Sequence, residues 1–369
     1  MSGRGLIVHE WIERTGGAER VLDAFAATHP SADILALWND HPDRYEPGRV
    51  RESAVARTPL RGRKAAALPL MPALWRYEGR RHGAYDWALI SSHLFAHHVR
   101  VRGVPPERHF AYVHTPARYL WAPELDARGA SPAVRAVAPL FRAVDRRRGA
   151  DLIEVAVNSA FVRERVRRAW GVDARVLHPP VDLQRIRAAA AARSSLTEDE
   201  QALLDSVPTD ALLGASRFVP YKRLDVVIAA GAATGRPVVV AGCGPDEDRL
   251  RALATAAPVE VHFVIAPSDR LLACLFDRAA VLVFPGIEDF GIVPVEALAL
   301  GTPVVVAARG GARESTSERS GACLPGHDPD SLADAVERAV RLDPSDCRRD
   351  AERFDVAHFR SEVASWTAT

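Results

Sequence analysis

Residues 280–301, AVLVFPGIEDFGIVPVEALALG, decide how the rest of the chain is read. A β-branched apolar run at 280–284 stops at Pro285 and Gly286, an acidic loop follows, and a helix-like segment closes at Gly301, the usual C-terminal stop. The spacing predicts a strand, a loop and a helix. Gly286, Gly291 and Pro294 place Glu288 in the loop and Glu296 near the first helical turn. One carboxylate then stands at the mouth of a strand–helix crevice and the other at the helix start, where α/β proteins bind ligands. Taken alone, such a pair reads more simply as a solvated loop and a first-turn Glu favoured by the helix dipole.

Outward from this stretch, strand-like runs recur at 211–215, 237–241, 259–265 and 303–307, with helical patterns between them and at 330–342 and 346–367. Toward the N-terminus a first series gives LIVHEW at 6–11, then 33–38, 87–91, 109–113, 153–158 and 175–177, with an amphipathic helix at 131–148. Alternating strands and helices indicate parallel sheets covered on both faces. Composition shifts at HPPVDLQRI, residues 178–186, followed by AAAAARSS. A boundary there divides the chain into 1–182 and 183–355, with 356–369 expected as a helix packing back on the first domain.

With 369 residues the chain is long enough for two such domains. Lys and Arg total 48 against 47 for Asp and Glu, so no global charge argues for nucleic acid. The four cysteines show no C-x-x-C spacing, and neither a zinc site nor a disulfide framework is indicated; they read as reduced, cytoplasmic thiols. The opening apolar run is too short for a signal peptide, and no segment has the ~18 apolar residues of a membrane span. Between Arg49 and His82, basic residues interleave with LPLMPALWRY. That segment reads equally as a peripheral dock on anionic lipid or as a solvated face beside a packed helix.

Several residues follow predicted strands and can carry chemistry. In SRFVPYKRLD, residues 216–225, Arg217 and Lys222 stand five apart, with a helix start expected at the lysine. Such a pair can hold a diphosphate, the Arg by its planar fork and the Lys as a point charge, although an isolated R-x4-K is commonly solvated surface. Gly242 and Gly244 in GCGP follow a strand, but the third glycine of a dinucleotide fingerprint is missing. They read either as letting backbone approach a mononucleotide or as a tight turn. Gly16 and Gly17 open a helix, where free amides meet anions or where a turn is simply tight. His114 in YVHTPARYLW and Asn158 in VNS end strands; each faces a crevice or is a satisfied structural residue. No nucleophile elbow, H-E-x-x-H or P-loop pattern is present.

In chain order GGAE at 16–19, HTPARYLW at 114–121, VNSAFVRERV at 157–166, LHPPVD at 177–182, SRFVPYKRLD, GCGP and the E-x7-E loop resemble the retaining nucleotide-sugar-dependent glycosyltransferases of family four. GGAER with HTP-x-RY-x-W is most similar to the bacterial surface-polysaccharide mannosyltransferases within it. The resemblance implies a GT-B fold, two Rossmann-like domains facing a central cleft, the first binding acceptor and the second the donor. It implies that Glu296 binds the ribose hydroxyls, and that Glu288 with the amides of Phe290, Gly291 and Ile292 holds the donor sugar. Arg217 and Lys222, with the Gly16 and Gly17 amides, would hold the diphosphate, and His114 would contact the sugar near the reacting carbon. Asn158, Ser216, Gly242 and Gly244 complete the implied donor site.

The implied reaction moves mannose from GDP-mannose to a lipid-linked or other glycan acceptor with retention, without a metal, a cofactor or a covalent enzyme residue. A peripheral place at the inner membrane face goes with it. Where the family shows Leu-Gly after the strand near the base, this chain has Ile265 and Ala266. UDP-sugar transfer, a GT-B epimerase or phosphorylase, and a non-catalytic nucleotide-sugar scaffold remain the alternatives.

Overall fold

The computed structural model describes residues 3–83 and 85–368, so the expectations for residues 1, 2 and 369 lie outside the described residues. The chain forms two compact units, Met1–Pro180 with Ala357–Thr369, and Val181–Val356.

The first unit is built on seven strands: β1 Gly5–His9, β2 Asp33–Ala36, β3 Val50–Glu52, β4 Trp87–Ser92, β5 His109–Val113, β6 Glu154–Val157 and β7 Arg175–Val176. They lie in the order β3-β2-β1-β4-β5-β6-β7, every neighbouring pair parallel. Ile7 stands opposite Ile34 on one side and Leu89 on the other. Helices cover such a sheet on both faces, so β1, β4 and β5 are buried along their whole length and read as continuous apolar runs. The sequence offered no such run for β3, a three-residue edge strand whose Arg51 and Glu52 are exposed.

The helix Val356–Thr367 lies on this unit apart from its first residue. Its Phe359 ring stacks 5.8 Å from Phe25 and meets Tyr112 edge-on at 5.9 Å, and the Trp366 indole N–H donates to Glu154 at 2.9 Å. The periodic stretch 346–367 is not one helix. It breaks after Pro344–Ala351 because the Phe354 carbonyl accepts from the Val181 N–H and the Val356 N–H donates to the Val181 carbonyl, taking the groups a continuous helix would use.

The second unit has six strands: β8 Leu212–Ala215, β9 Val238–Gly242, β10 Val261–Ile265, β11 Val281–Phe284, β12 Val304–Ala307 and β13 Gly321–Leu324, in the parallel order β10-β9-β8-β11-β12-β13. β13 escaped the sequence reading because GACL is short, half-buried and opens on glycine. A side chain at Gly321 would come within 2.4 Å of the Val304 carbonyl, so the closeness of β12 requires the glycine that hides the strand.

Strand order reverses once in each sheet, between β1 and β4 and between β8 and β11. At such a reversal the loops leaving neighbouring strands diverge to opposite faces and leave a crevice at the carboxyl ends.

Candidate active site

In the second unit the loops after β8 and β11 meet at the reversal. Lys222 Nζ lies 2.6 Å from Glu288 Oε1, with the two side chains only 15% and 11% exposed. The ammonium also sits 5.3 Å from the Tyr221 ring and 5.8 Å from the Phe284 ring, faces that favour a cation. Arg217 is exposed and donates to the Tyr221 hydroxyl at 3.1 Å, which ties it to the same loop. The structure therefore brings Arg217, Lys222 and Glu288 together from two strand ends.

Local backbone explains why the loops fit. Lys222 closes a short 3-10 turn, Pro220–Lys222, instead of starting a helix as the sequence suggested. Arg223 takes a left-handed conformation, φ 56°, and the helix begins at Leu224. Gly286 allows the second loop to approach: a Cβ there would touch the Lys222 and Tyr221 backbone at 3.2 Å. Gly291 at φ 87° precedes the helix Ile292–Leu300. Glu296 is the fifth residue of that helix, near its first turn, and Pro294 at the third position lacks only an N–H that the helix leaves free. Phe290 is buried against Phe354, and Glu296 is itself 8% exposed.

Gly242 and Gly244 have a clear structural use. A Cβ on Gly242 would lie 1.9 Å from the Ser216 carbonyl oxygen, and one on Gly244 2.4 Å from that of Phe218. Phe218 N–H donates to Cys243 and Asp246 N–H to Phe218, so the GCG turn grips the backbone that presents Arg217. Gly310 and Gly311 were not foreseen: the Gly311 N–H donates to the Glu288 carbonyl at 2.8 Å, and a Cβ on Gly311 would collide with Asp289 oxygen at 1.9 Å. The available signal was a Gly-Gly in the loop after a strand, as with Gly16 and Gly17.

In the first unit, residues at the ends of β1, β4 and β5 gather at the other reversal. His114 Nε2 lies 2.8 Å from the Ser91 hydroxyl, which lies 2.9 Å from His9 Nδ1. The hydroxyl has a single proton to give, so at most one of the two imidazoles accepts from it. Burial, reinforced by the neighbouring His93 imidazole, pushes His9 down to about 3, and burial puts His114 well below the usual histidine range. Both rings are neutral near pH 7. Glu10 is fully buried and accepts backbone N–H bonds from His93, Leu94 and Ala96 at 3.1, 2.9 and 2.8 Å. Burial raises its pKa, but the His93 and His9 imidazoles and the Ala96 and His93 amides outweigh that and hold it at about 2.

Gly16 precedes the helix Gly17–Thr28, but the carboxylate of Glu19 folds back over this end. A Cβ on Gly16 would touch Glu19 Oε2 at 2.0 Å, and Glu19 Oε1 accepts the Glu13 N–H at 3.2 Å. A diphosphate at these amides would meet that carboxylate. Asn158 follows β6, accepts from the Ser159 hydroxyl at 3.2 Å and lies away from the reversal, three strands beyond β1.

Among the described residues, two groups bring three metal-ligating atoms within 4.8 Å of one another: His9, Glu10 and His93, and His97, His98 and Asp145. In the second, Asp145 already takes ring N–H groups from His97, His98, Trp121 and Trp170 at 3.1, 2.8, 2.7 and 2.8 Å. In the first, backbone amides occupy both oxygens of Glu10. Carboxylates so occupied fit hydrogen-bonded networks better than a cation.

Comparison with solved structures defines the class. The crystal structure of Anabaena Alr3699/HepE in complex with UDP-glucose matches over 98% of each chain, TM-score 0.68 at 16% identity, and the lipopolysaccharide outer core galactosyltransferase WaaB over 99% and 100%, TM-score 0.65 at 13%. At such identities the likeness establishes fold alone, and the fold is GT-B. The profile for "Glycosyl transferases group 1" matches residues 198–354, nearly all of the second unit.

Among curated proteins, a Mycobacterium tuberculosis GDP-mannose-dependent alpha-(1-6)-phosphatidylinositol monomannoside mannosyltransferase is 33% identical over 54% of this chain and 55% of its own length. A Mycobacterium avium D-inositol 3-phosphate glycosyltransferase is 34% identical over 53% and 46%. The chain thus spans about half the length of the curated relatives it matches.

Proposed function

We propose that the protein is a retaining hexosyltransferase that moves mannose from GDP-mannose to a lipid-linked or other glycan acceptor. The observation carrying the proposal is the Lys222–Glu288 pair, 2.6 Å apart where β8 and β11 reverse the strand order. As the glycosyl bond breaks, negative charge grows on the diphosphate and the sugar becomes oxocarbenium-like. Lys222 and Arg217 stabilise the former; Glu288 fixes the ammonium beforehand and, with the Phe290, Gly291 and Ile292 amides, holds the sugar. Glu296 accepts from the ribose diol. Two cations so placed supply the charge neutralisation without a metal, and no residue is assigned a covalent step. The mannose donor is supported by the name of the mycobacterial relative.

Lys222→Ala is expected to lower kcat about 10²–10³-fold, the usual effect of removing one preorganised group that stabilises developing charge. Glu296→Ala is expected to raise the donor KM. Retention of full transfer by both variants, with any sugar donor, would remove the assignment. Thermal shift against GDP-mannose, UDP-glucose and UDP-N-acetylglucosamine identifies the base, because a ligand of the native state raises apparent stability.

Peripheral membrane contact through residues 49–82 belongs to the same proposal in reduced form. Met71 and Trp75 of the helix Met71–Arg81 are fully buried, Arg49 is bound to backbone carbonyls of Ala26, His29 and Ala32, Arg51 pairs with Asp33 and Lys64 with Glu13. What faces outward is Leu70, Tyr77, Arg57, Arg63 and Arg80. No helix among the described residues is long and apolar enough to cross a membrane. Equal sedimentation with anionic and neutral liposomes would exclude electrostatic docking.

A further inference from the structure

Within the first unit, the helix Pro132–Ala150 packs beside the short helix Arg118–Trp121, and a cavity of about 220 Å³ lies between them. Its charged and hydroxyl-bearing lining consists of Tyr119, Arg135 and Arg142. Tyr119 is 6% exposed, and its hydroxyl has no hydrogen-bond partner among the described residues. Polar groups buried to that degree are ordinarily bonded, so a ligand in the cavity is the partner the fold leaves open. Burial, reinforced by the Asp145 carboxylate, holds this phenol well above the usual tyrosine range, and it keeps a proton to donate.

The two arginines stand two turns apart on one face of their helix. Arg142 donates through Nε to the Leu120 carbonyl at 2.7 Å, which fixes the guanidinium and leaves its terminal N–H groups for another acceptor. Arg135 has no ion-pair partner among the described residues. No carboxylate lines the cavity. The two that act on Tyr119 are engaged elsewhere: Asp145 by four ring N–H groups, and Asp126 by Arg128 at 2.9 and 2.6 Å. The remaining wall is apolar, with Pro123, Val134 and Pro139, the last inside the helix where its ring replaces an N–H. Gly129 completes it. A Cβ there would lie 2.5 Å from Pro123 Cβ, so the turn comes this close only because the position is bare.

Two cations and a donating hydroxyl call for an anion, and the apolar wall calls for carbon attached to it. Donors from three side chains match the three terminal oxygens of a phosphate monoester, where a carboxylate offers only two. At 220 Å³ the cavity is below the ~300 Å³ at which pockets begin to enclose drug-sized ligands, so it takes the phosphate and a few carbons. We propose that the first unit binds a phosphate monoester here, its terminal oxygens on Tyr119, Arg135 and Arg142 and its ester carbons against Pro123, Val134 and Pro139. This ligand is additional to the diphosphate of the proposed transfer, which that proposal assigns to the loops of the second unit.

Isothermal titration of the full chain, without sugar donor, compares inorganic phosphate with butyl phosphate. Butyl phosphate should bind at one site and at least about tenfold more tightly, since each buried CH₂ is worth about fourfold. Tyr119→Phe, which keeps the ring, and Arg135→Gln, at an exposed helical position, should each weaken it about tenfold or more without lowering the unliganded melting temperature. Excess GDP should leave it in place. An isotherm flat into the millimolar range, equal affinity for the two probes, or binding that ignores both substitutions and is displaced by GDP overturns the site. Failure to transfer sugar by a protein that still binds butyl phosphate through Tyr119 and Arg135 removes the proposed transfer and leaves the site standing.

Discussion

Gly242→Ala separates a glycine needed for backbone conformation from one needed for space, with Gly235→Ala as its partner. Gly235 ends the helix Leu224–Thr234 at φ 68°, and a Cβ there meets nothing within 4 Å. Its substitution costs only the left-handed conformation, about 1–2 kcal/mol. Gly242 at φ 139° lies beyond the left-handed well, where a side chain costs at least as much, and its Cβ would in addition lie 1.9 Å from the Ser216 carbonyl oxygen. A backbone atom gives way only by moving the loop, and such overpacking typically costs about 1–3 kcal/mol. Gly242→Ala should therefore melt below Gly235→Ala by roughly 2–12 °C, at about 2–4 °C per kcal/mol for a unit of this size. Thermal melting with and without the nucleotide-sugar donor reads both consequences. Gly242→Ala shifts the backbone that carries Arg217 and should lose most of the donor-induced rise; Gly235→Ala should keep it. Equal melting temperatures, or an undiminished donor response in Gly242→Ala, would refute the claim that the GCG turn holds the Arg217 loop in place.

Ala266 stands at φ 46° where its N–H donates to the Gly242 carbonyl, so Ala266→Gly should stabilise by about 0.5–1 kcal/mol; a lowered melting temperature would contradict this. Acid should weaken the first unit well above the carboxylate range. Burial lowers His9 and His98 to about 3 and His109 to about 4, whereas in the unfolded chain each binds its proton near 6.5. Below that value the unfolded chain holds more protons, so stability falls as pH falls, at up to about 1.4 kcal/mol per pH unit for each imidazole. The depressed Glu10 carboxylate contributes stability that is lost only at still lower pH. A melting temperature flat between pH 7 and pH 5 would show that these rings are not buried neutral.

Legibility in the sequence followed burial. Strands covered on both faces, such as β4 and β11, announced themselves as apolar runs, and the two-series pattern gave the parallel α/β class. Edge strands β3 and β13 did not, because an edge needs neither hydrophobicity on both faces nor length. Helix boundaries failed where a single residue took an unusual conformation: Arg223 delays the helix after Lys222, and the Val181 backbone interrupts the last helical stretch. Chemistry-bearing residues were legible when they followed a strand closely, as Arg217, Glu288 and His114 do. Gly310, Gly311, Glu10 and His93 were passed over because what marks them is a contact with a loop distant in sequence.

Strand order explains where these residues stand. Lys222, Arg217 and Glu288 follow β8 and β11, and His114, His93 and Glu10 follow β5, β4 and β1, so each group stands at or beside the reversal of its own sheet. Gly242 ends β9 and Gly244 follows it, one strand off, and their open sides are filled by the loop of β8 rather than left facing a ligand. Their effect on the donor must then pass through Arg217. A substitution there should change donor affinity and stability together, whereas Lys222→Ala removes the cation itself and, by leaving the largely buried Glu288 unpaired, should lower both the rate and the melting temperature.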